Sequence, residues 1–191
     1  MGEAMRRARR WILAMAVLLI AAGCSSTADG DAVAGATSSA VPSTTTSAPT
    51  PWDPCTIPDE AIERAGLNVD TKESGVFGRD QFGFKICGWE NQAPPESKYY
   101  VRIFVGFQTI DWISDTSRFD GLRPVQLGTR DATQFEQISA TESLNCGVAY
   151  TAGSELVMST IISDVLVDSP QYDPCTELNS LIATLGSELP S

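Results

Sequence analysis

Five cysteines and no histidine set the chemistry open to this chain of 191 residues. Without an imidazole, a Ser-His-Asp or Cys-His catalytic arrangement has no base. The thiols can take lipid, pair with one another or bind metal, and their surroundings separate these fates. Cys24 follows Ala21-Ala22-Gly23, behind an apolar run over 11–22 and the bases Arg6, Arg7, Arg9 and Arg10. A basic start, a short apolar run and small residues before a cysteine make a lipoprotein export signal. The bases stay in the cytoplasm and the run enters the export channel. About a dozen residues fall short of the ~18 that a spanning helix needs. The expectation is a signal peptide over 1–23, cleavage before Cys24, and a lipid anchor of diacylglycerol and palmitate at Cys24. Ala21 stands where a leucine is usual, and an ordinary secretory signal with an incidental cysteine is the competing reading.

The other four cysteines, Cys55, Cys87, Cys146 and Cys175, form an even set in a chain bound for an oxidising compartment, which predicts two disulfides. Four cysteines allow three pairings. Order along the chain favours Cys55–Cys87 and Cys146–Cys175, each closing a loop of about thirty residues. In the chain-entropy model such a loop is worth ~3–4 kcal/mol. A zinc site would need four scattered thiolates with no CxxC spacing, so no metal is expected.

Other reactive patterns are weak. Asp111 and Asp115 stand at helical spacing, which would place two carboxylates on one face as in glycoside hydrolysis. A solvated acidic face accounts for them more simply. No GxGxxG or GxxxxGK[ST] phosphate loop occurs, and Gly75-Val76-Phe77-Gly78 reads as a loop. Asp59-Glu60 reads as the start of a helix, because the spaced oxygen ligands of a calcium loop are missing. No catalytic residue and no cofactor is expected. Trp89 should pack beside the Cys55–Cys87 bridge. Trp112, with Asp111, Ser114 and Asp115 around it, is a better candidate for a partner surface, although core packing is the favoured reading there too.

Charge narrows the partners. Loss of residues 1–23 takes four arginines and Glu3 with it, leaving 9 bases against 23 acids, and no Lys or Arg follows Arg130. Such a surface repels phosphate backbones, so nucleic acid is excluded as a partner. It also lacks a polybasic patch for anionic headgroups, so contact with the membrane should run through the lipid alone.

These residues need elements to position them. Residues 24–51 are rich in Ser, Thr, Ala and Pro and almost without large apolar side chains, and should form a disordered, lipid-anchored tether. A single domain is expected over 52–191. Asp53-Pro54-Cys55-Thr56 and Asp173-Pro174-Cys175-Thr176 echo each other, preceded by Trp52 and Tyr172, and each reads as a helix start. Ala61, Ile62 and Ala65 share a face after the first, and Gly66 is placed to stop that helix. Leu178, Leu181, Ile182 and Leu185 follow i, i+3, i+4, i+7 spacing after the second. Between them the period falls to two: Tyr99, Val101, Ile103, Val105 and Phe107 on one side, Tyr100, Arg102, Phe104 and Gln108 on the other. Shorter strands are expected over 84–89, 124–127, 133–138, 146–150 and 156–161, and a short helix over 110–119. The sum is an α+β domain, an antiparallel sheet with helices packed on one face and two disulfides.

Cys87-Gly88-Trp89 after the first helix, Cys146-Gly147-Val148 before the last cysteine, and the strand–glycine–strand segment from Val125 to Ala132 resemble the actinobacterial lipoprotein family DUF3558, which takes in mycobacterial lipoproteins. The resemblance covers most of 52–188 and implies a membrane-anchored envelope protein of unassigned biochemistry, with no catalytic residues to carry over. The expected function is non-catalytic binding or scaffolding on the extracytoplasmic side of the cell membrane, with an unknown envelope protein as partner. A carrier or sensor for a small apolar or glycolipid ligand is the alternative.

Overall fold

The structure, a computed structural model, describes residues 49–138, 145–163 and 173–191. The leader, Cys24, Tyr172 and the tether as far as residue 48 lie outside the described residues. The described residues all fall in one compact unit.

The alternation read at 99–106 becomes β3 (Tyr99–Gly106), with Tyr99, Val101, Ile103 and Val105 buried and Tyr100, Arg102 and Phe104 half-buried. Six further strands flank it: β1 (Glu73–Ser74), β2 (Phe84–Glu90), β4 (Phe119–Leu127), β5 (Arg130–Gln137), β6 (Asn145–Ala152) and β7 (Glu155–Ser163). They make one antiparallel sheet in the order β1-β2-β3-β7-β6-β5-β4. Two meanders therefore meet where β3 lies beside β7, from Tyr99 opposite Ser163 to Gly106 opposite Leu156. The run of buried residues along β6 and β7 fits strands covered on both faces. Phe107, expected to continue the buried side of β3, falls beyond the end of the strand and is exposed.

Helix α2 (Pro174–Thr184) starts as the sequence suggests. The Asp173 carboxylate accepts from the Thr176 N–H at 2.8 Å, and Pro174 fills the first turn, where a missing N–H costs nothing. Leu178, Leu181, Ile182 and Leu185 are buried in one cluster with Val101, Ile103, Val157 and Ile161. The echo at Asp53 does less. Its carboxylate accepts from the Cys55 N–H at 2.9 Å and sets only a 3-10 turn over Pro54–Thr56. Pro58 holds Ile57 extended (φ −57°, ψ 129°), so α1 (Asp59–Arg64) begins a separate helix. Ala61 and Ile62 of α1 join the same cluster.

A second cluster gathers Ile113, Phe119, Phe135, Ala149, Leu156 and Met158. The helix expected over 110–119 is a 3-10 segment, Ile110–Ser114, and Phe119 already opens β4. The Asp115 carboxylate accepts from the Ser117 N–H at 3.0 Å and from its hydroxyl at 2.6 Å, a local turn that competes with helical bonding. Asp115 is extended (φ −69°, ψ 97°), so the helical spacing supposed for Asp111 and Asp115 does not exist.

Cys55 lies at disulfide distance from Cys87 of β2 (Sγ–Sγ 2.07 Å), and Cys175 from Cys146 of β6 (2.13 Å), the pairing that order along the chain favours. Trp89 is fully buried in the cluster that holds Cys87 and Cys55.

Candidate functional site

A glycine after each strand cysteine shapes the sheet face opposite Val101 and Ile103. Gly88 pairs with Glu73 on one side and Arg102 on the other. With no side chain at Gly88, the Tyr100 ring lies across β2, so close that a Cβ there would sit 2.1 Å from its hydroxyl oxygen. Tyr100 then donates to Glu73 Oε2 at 3.0 Å, and Arg102 Nη2 stands 3.9 Å from the same oxygen. The Arg102 guanidinium lies 4.3 Å from the Tyr100 ring centre and 5.0 Å from that of Phe77, within cation–π range of both.

Phe77 reaches this position from a tight turn between β1 and β2. Val76 and Arg79 exchange backbone hydrogen bonds of 2.8 and 3.2 Å, and Phe77 takes φ +52°, a region in which side chains other than glycine are uncommon. Phe77 is 79% exposed although its side chain is a large apolar group. Arg102, by contrast, is 11% exposed, and its Nε–H is buried without an acceptor.

Around these groups opens a cleft of about 660 Å³. Tyr100, Phe77, Pro94 and Ile162 supply apolar wall, and Asp70, Glu73 and Glu90 set three carboxylates against one guanidinium. Thr71 also lines it, but its hydroxyl is engaged: it donates to the Asn68 carbonyl at 2.6 Å and accepts from the Glu90 N–H at 2.9 Å. Burial pushes the Tyr100 hydroxyl above its ordinary pKa, with Arg102 opposing and Glu73 reinforcing the shift, so it stays a donor at neutral pH. The arrangement offers hydrogen-bond donors, acceptors and aromatic faces, which suits holding a ligand. Among the described residues no group of three His, Cys, Asp or Glu side chains could hold a metal ion.

A smaller cleft of about 360 Å³ lies on the same sheet face beside Trp112, Arg118 and Met158. Trp112 is half-buried, with Phe84 and Phe119 ring centres at 5.4 and 5.2 Å and the Arg118 guanidinium at 4.1 Å. Asp111 and Asp115 flank it in solvent. The hydrogen bonds from Ser117 hold the Asp115 carboxyl below its ordinary pKa, helped by Arg118. The four paired cysteines sit in or against the core and line neither cleft.

Sequence reasoning did not single out Tyr100, Arg102, Glu73 or Phe77. One signal was available: Arg102 is the lone charge in an otherwise apolar and aromatic strand, and Gly88 follows Cys87 where Arg102 pairs.

Comparison with known proteins matches residues 19–185 to the family described as Protein of unknown function (DUF3558). No curated protein and no solved structure matches the chain. Among the described residues no helix is long and apolar enough to cross a membrane. With most of its length inside that one match, the chain belongs to the DUF3558 family.

Proposed function

We propose that this protein is a lipid-anchored envelope lipoprotein whose domain works by non-catalytic binding, with the Arg102 cleft as its ligand site. The cleft carries the reading: its volume of about 660 Å³ lies within the 300–1,000 Å³ typical of small-molecule sites, and apolar wall surrounds a few polar groups. The family match begins at residue 19, so Cys24 lies inside the sequence that the family shares, which supports an anchor there. The actinobacterial origin and kinship to mycobacterial lipoproteins belong to the same reading, as does a domain over 52–191 on a flexible tether that keeps it searching close to the membrane. Within that domain we take α1 and α2 to cover one sheet face, which leaves the Arg102 end of the other to the ligand. A carrier or sensor of a small ligand now outranks a scaffold, because a scaffold needs no cleft. The Trp112 surface remains the place for a protein partner.

Two measurements test this. Intact mass of protein extracted from membranes should carry acyl chains at Cys24, and Cys24→Ala should release the domain from the membrane fraction. Native mass spectrometry of the same preparation should find a bound small molecule that Ile162→Trp, which fills the cleft, excludes. Unmodified Cys24 sinks the anchor, and equal small-molecule content in the two proteins sinks the site.

A further inference from the structure

We propose that the Arg102 cleft takes a neutral saccharide; the inference rests on the cleft being the ligand site and adds the ligand's class. The reasoning is one of matching functional groups. Carboxylates at neutral pH only accept hydrogen bonds, and a guanidinium only donates them. The cleft sets Asp70 and Glu90, whose carboxylates have no partner among the hydrogen bonds and ion pairs of the described residues, beside the Arg102 guanidinium, whose Nη2 stands 3.9 Å from Glu73, beyond hydrogen-bond length. A ligand that satisfies them must accept at one point and donate at two. A hydroxyl does both, so a ring bearing several hydroxyls meets the whole set with one repeated group.

Charge and shape point the same way. Three carboxylates against one guanidinium repel a phosphate or carboxylate ligand, and the guanidinium in their midst opposes a simple cation. Phe77 and Tyr100 present flat aromatic faces, and Phe77 is held in solvent at an uncommon backbone angle where folding alone gains little from it. A pyranose has one polar rim and C–H faces that pack on such rings. An extended peptide also carries donors and acceptors, but it binds sheets by adding to an open edge. Here the cleft lies on the sheet face, and β1 pairs with β2 at Gly88 and Cys87 beside it.

The test uses the full-length protein in detergent on an array of neutral oligosaccharides, uronate-bearing oligosaccharides and capped peptides. Neutral glycans should be retained, and Phe77→Ala, at an exposed position that leaves the core intact, should weaken them about tenfold. Glu90→Gln should weaken them as well, while improving any uronate binding. Preference for uronates or for peptides overturns the saccharide assignment. Nile red, a neutral apolar dye, separates the two levels of the argument. If no neutral glycan binds but the dye binds and Ile162→Trp displaces it, the saccharide class is wrong and the ligand site stands. If nothing on the array binds and the dye does not bind, both are wrong.

Discussion

The two disulfide-stapled halves of the sheet use the same parts and end differently. In each, an Asp-Pro-Cys-Thr turn joins its cysteine to a Cys-Gly strand, at Cys87-Gly88 and at Cys146-Gly147. In each, an aromatic ring from a paired strand fills the space over the glycine. A Cβ would lie 2.1 Å from the Tyr100 hydroxyl in one half and 2.2 Å from the Phe135 ring in the other. Phe135 is fully buried against Phe119, ring centres 5.0 Å apart, and the space over that glycine is closed. Tyr100 carries a hydroxyl that bonds Glu73 and sits beside a charged Arg102, and that half stays open as the cleft. The same backbone device thus builds core or site, depending on whether the ring over the glycine has a polar end and whether a loop covers it. Ile110–Ser114 covers the Phe135 half; the 76–79 turn reaches over the other with one exposed ring.

Removing the staples is the largest perturbation. Cys55→Ser/Cys87→Ser and Cys146→Ser/Cys175→Ser open loops of nearly equal length, with separations of 32 and 29, and each double variant should lose ~3–4 kcal/mol in urea unfolding. A gap of more than about 2 kcal/mol between the two variants would show that the halves differ in native packing as well as in loop entropy.

The glycines sharpen the contrast next. Gly147→Ala drives a methyl into the buried Phe135 ring and should cost about 1–3 kcal/mol by overpacking. Gly88→Ala meets a half-buried Tyr100 that can swing outward, and should cost less than ~1 kcal/mol while breaking the Tyr100–Glu73 bond. Equal costs would mean that the cleft half is packed as tightly as its counterpart.

A third experiment probes a clasp in the Cys146–Cys175 half. Tyr150 donates to the Pro190 carbonyl at 3.2 Å, and Arg130 donates to those of Gly186 and Leu189 at 2.7 and 3.3 Å. Tyr150→Phe should cost about 1 kcal/mol at neutral pH. Burial pushes the Tyr150 hydroxyl up to about 12 against an ordinary 10.0, with Arg130 opposing. The folded state therefore keeps a proton that the unfolded chain releases. This contribution is complete below pH 10 and is lost as pH rises through about 12, so the wild type should weaken across that window and Tyr150→Phe should flatten the slope. The smallest effect belongs to Phe77→Ala, whose exposed ring should shift stability by less than ~0.5 kcal/mol, measured by urea unfolding.

Local pattern made much of the fold legible. The alternation at Tyr99–Val105, the spacing of Leu178, Leu181, Ile182 and Leu185, and the cysteine order all survive into the structure. What pattern missed is non-local or too short to show a period. β1 has two residues, and β4 is exposed from Asp120 to Pro124 and carries a register shift between Asp120 and Arg123. The cleft is assembled from Glu73, Phe77, Tyr100, Arg102 and Ile162: the pairing of β1, β2 and β3 brings the first four together, and Ile162 joins them only because β7 inserts beside β3. No single stretch of sequence carries that adjacency.

The insertion has a consequence for how the polypeptide is made. Tyr99 finds Ser163, and Gly106 finds Leu156, only after some fifty residues more have been synthesised. Until then β3 presents an unfinished row of amide and carbonyl groups, the kind of template on which neighbouring chains aggregate. A fragment truncated before Glu155 should need a chaperone to stay dispersed, whereas the whole polypeptide closes the row on itself.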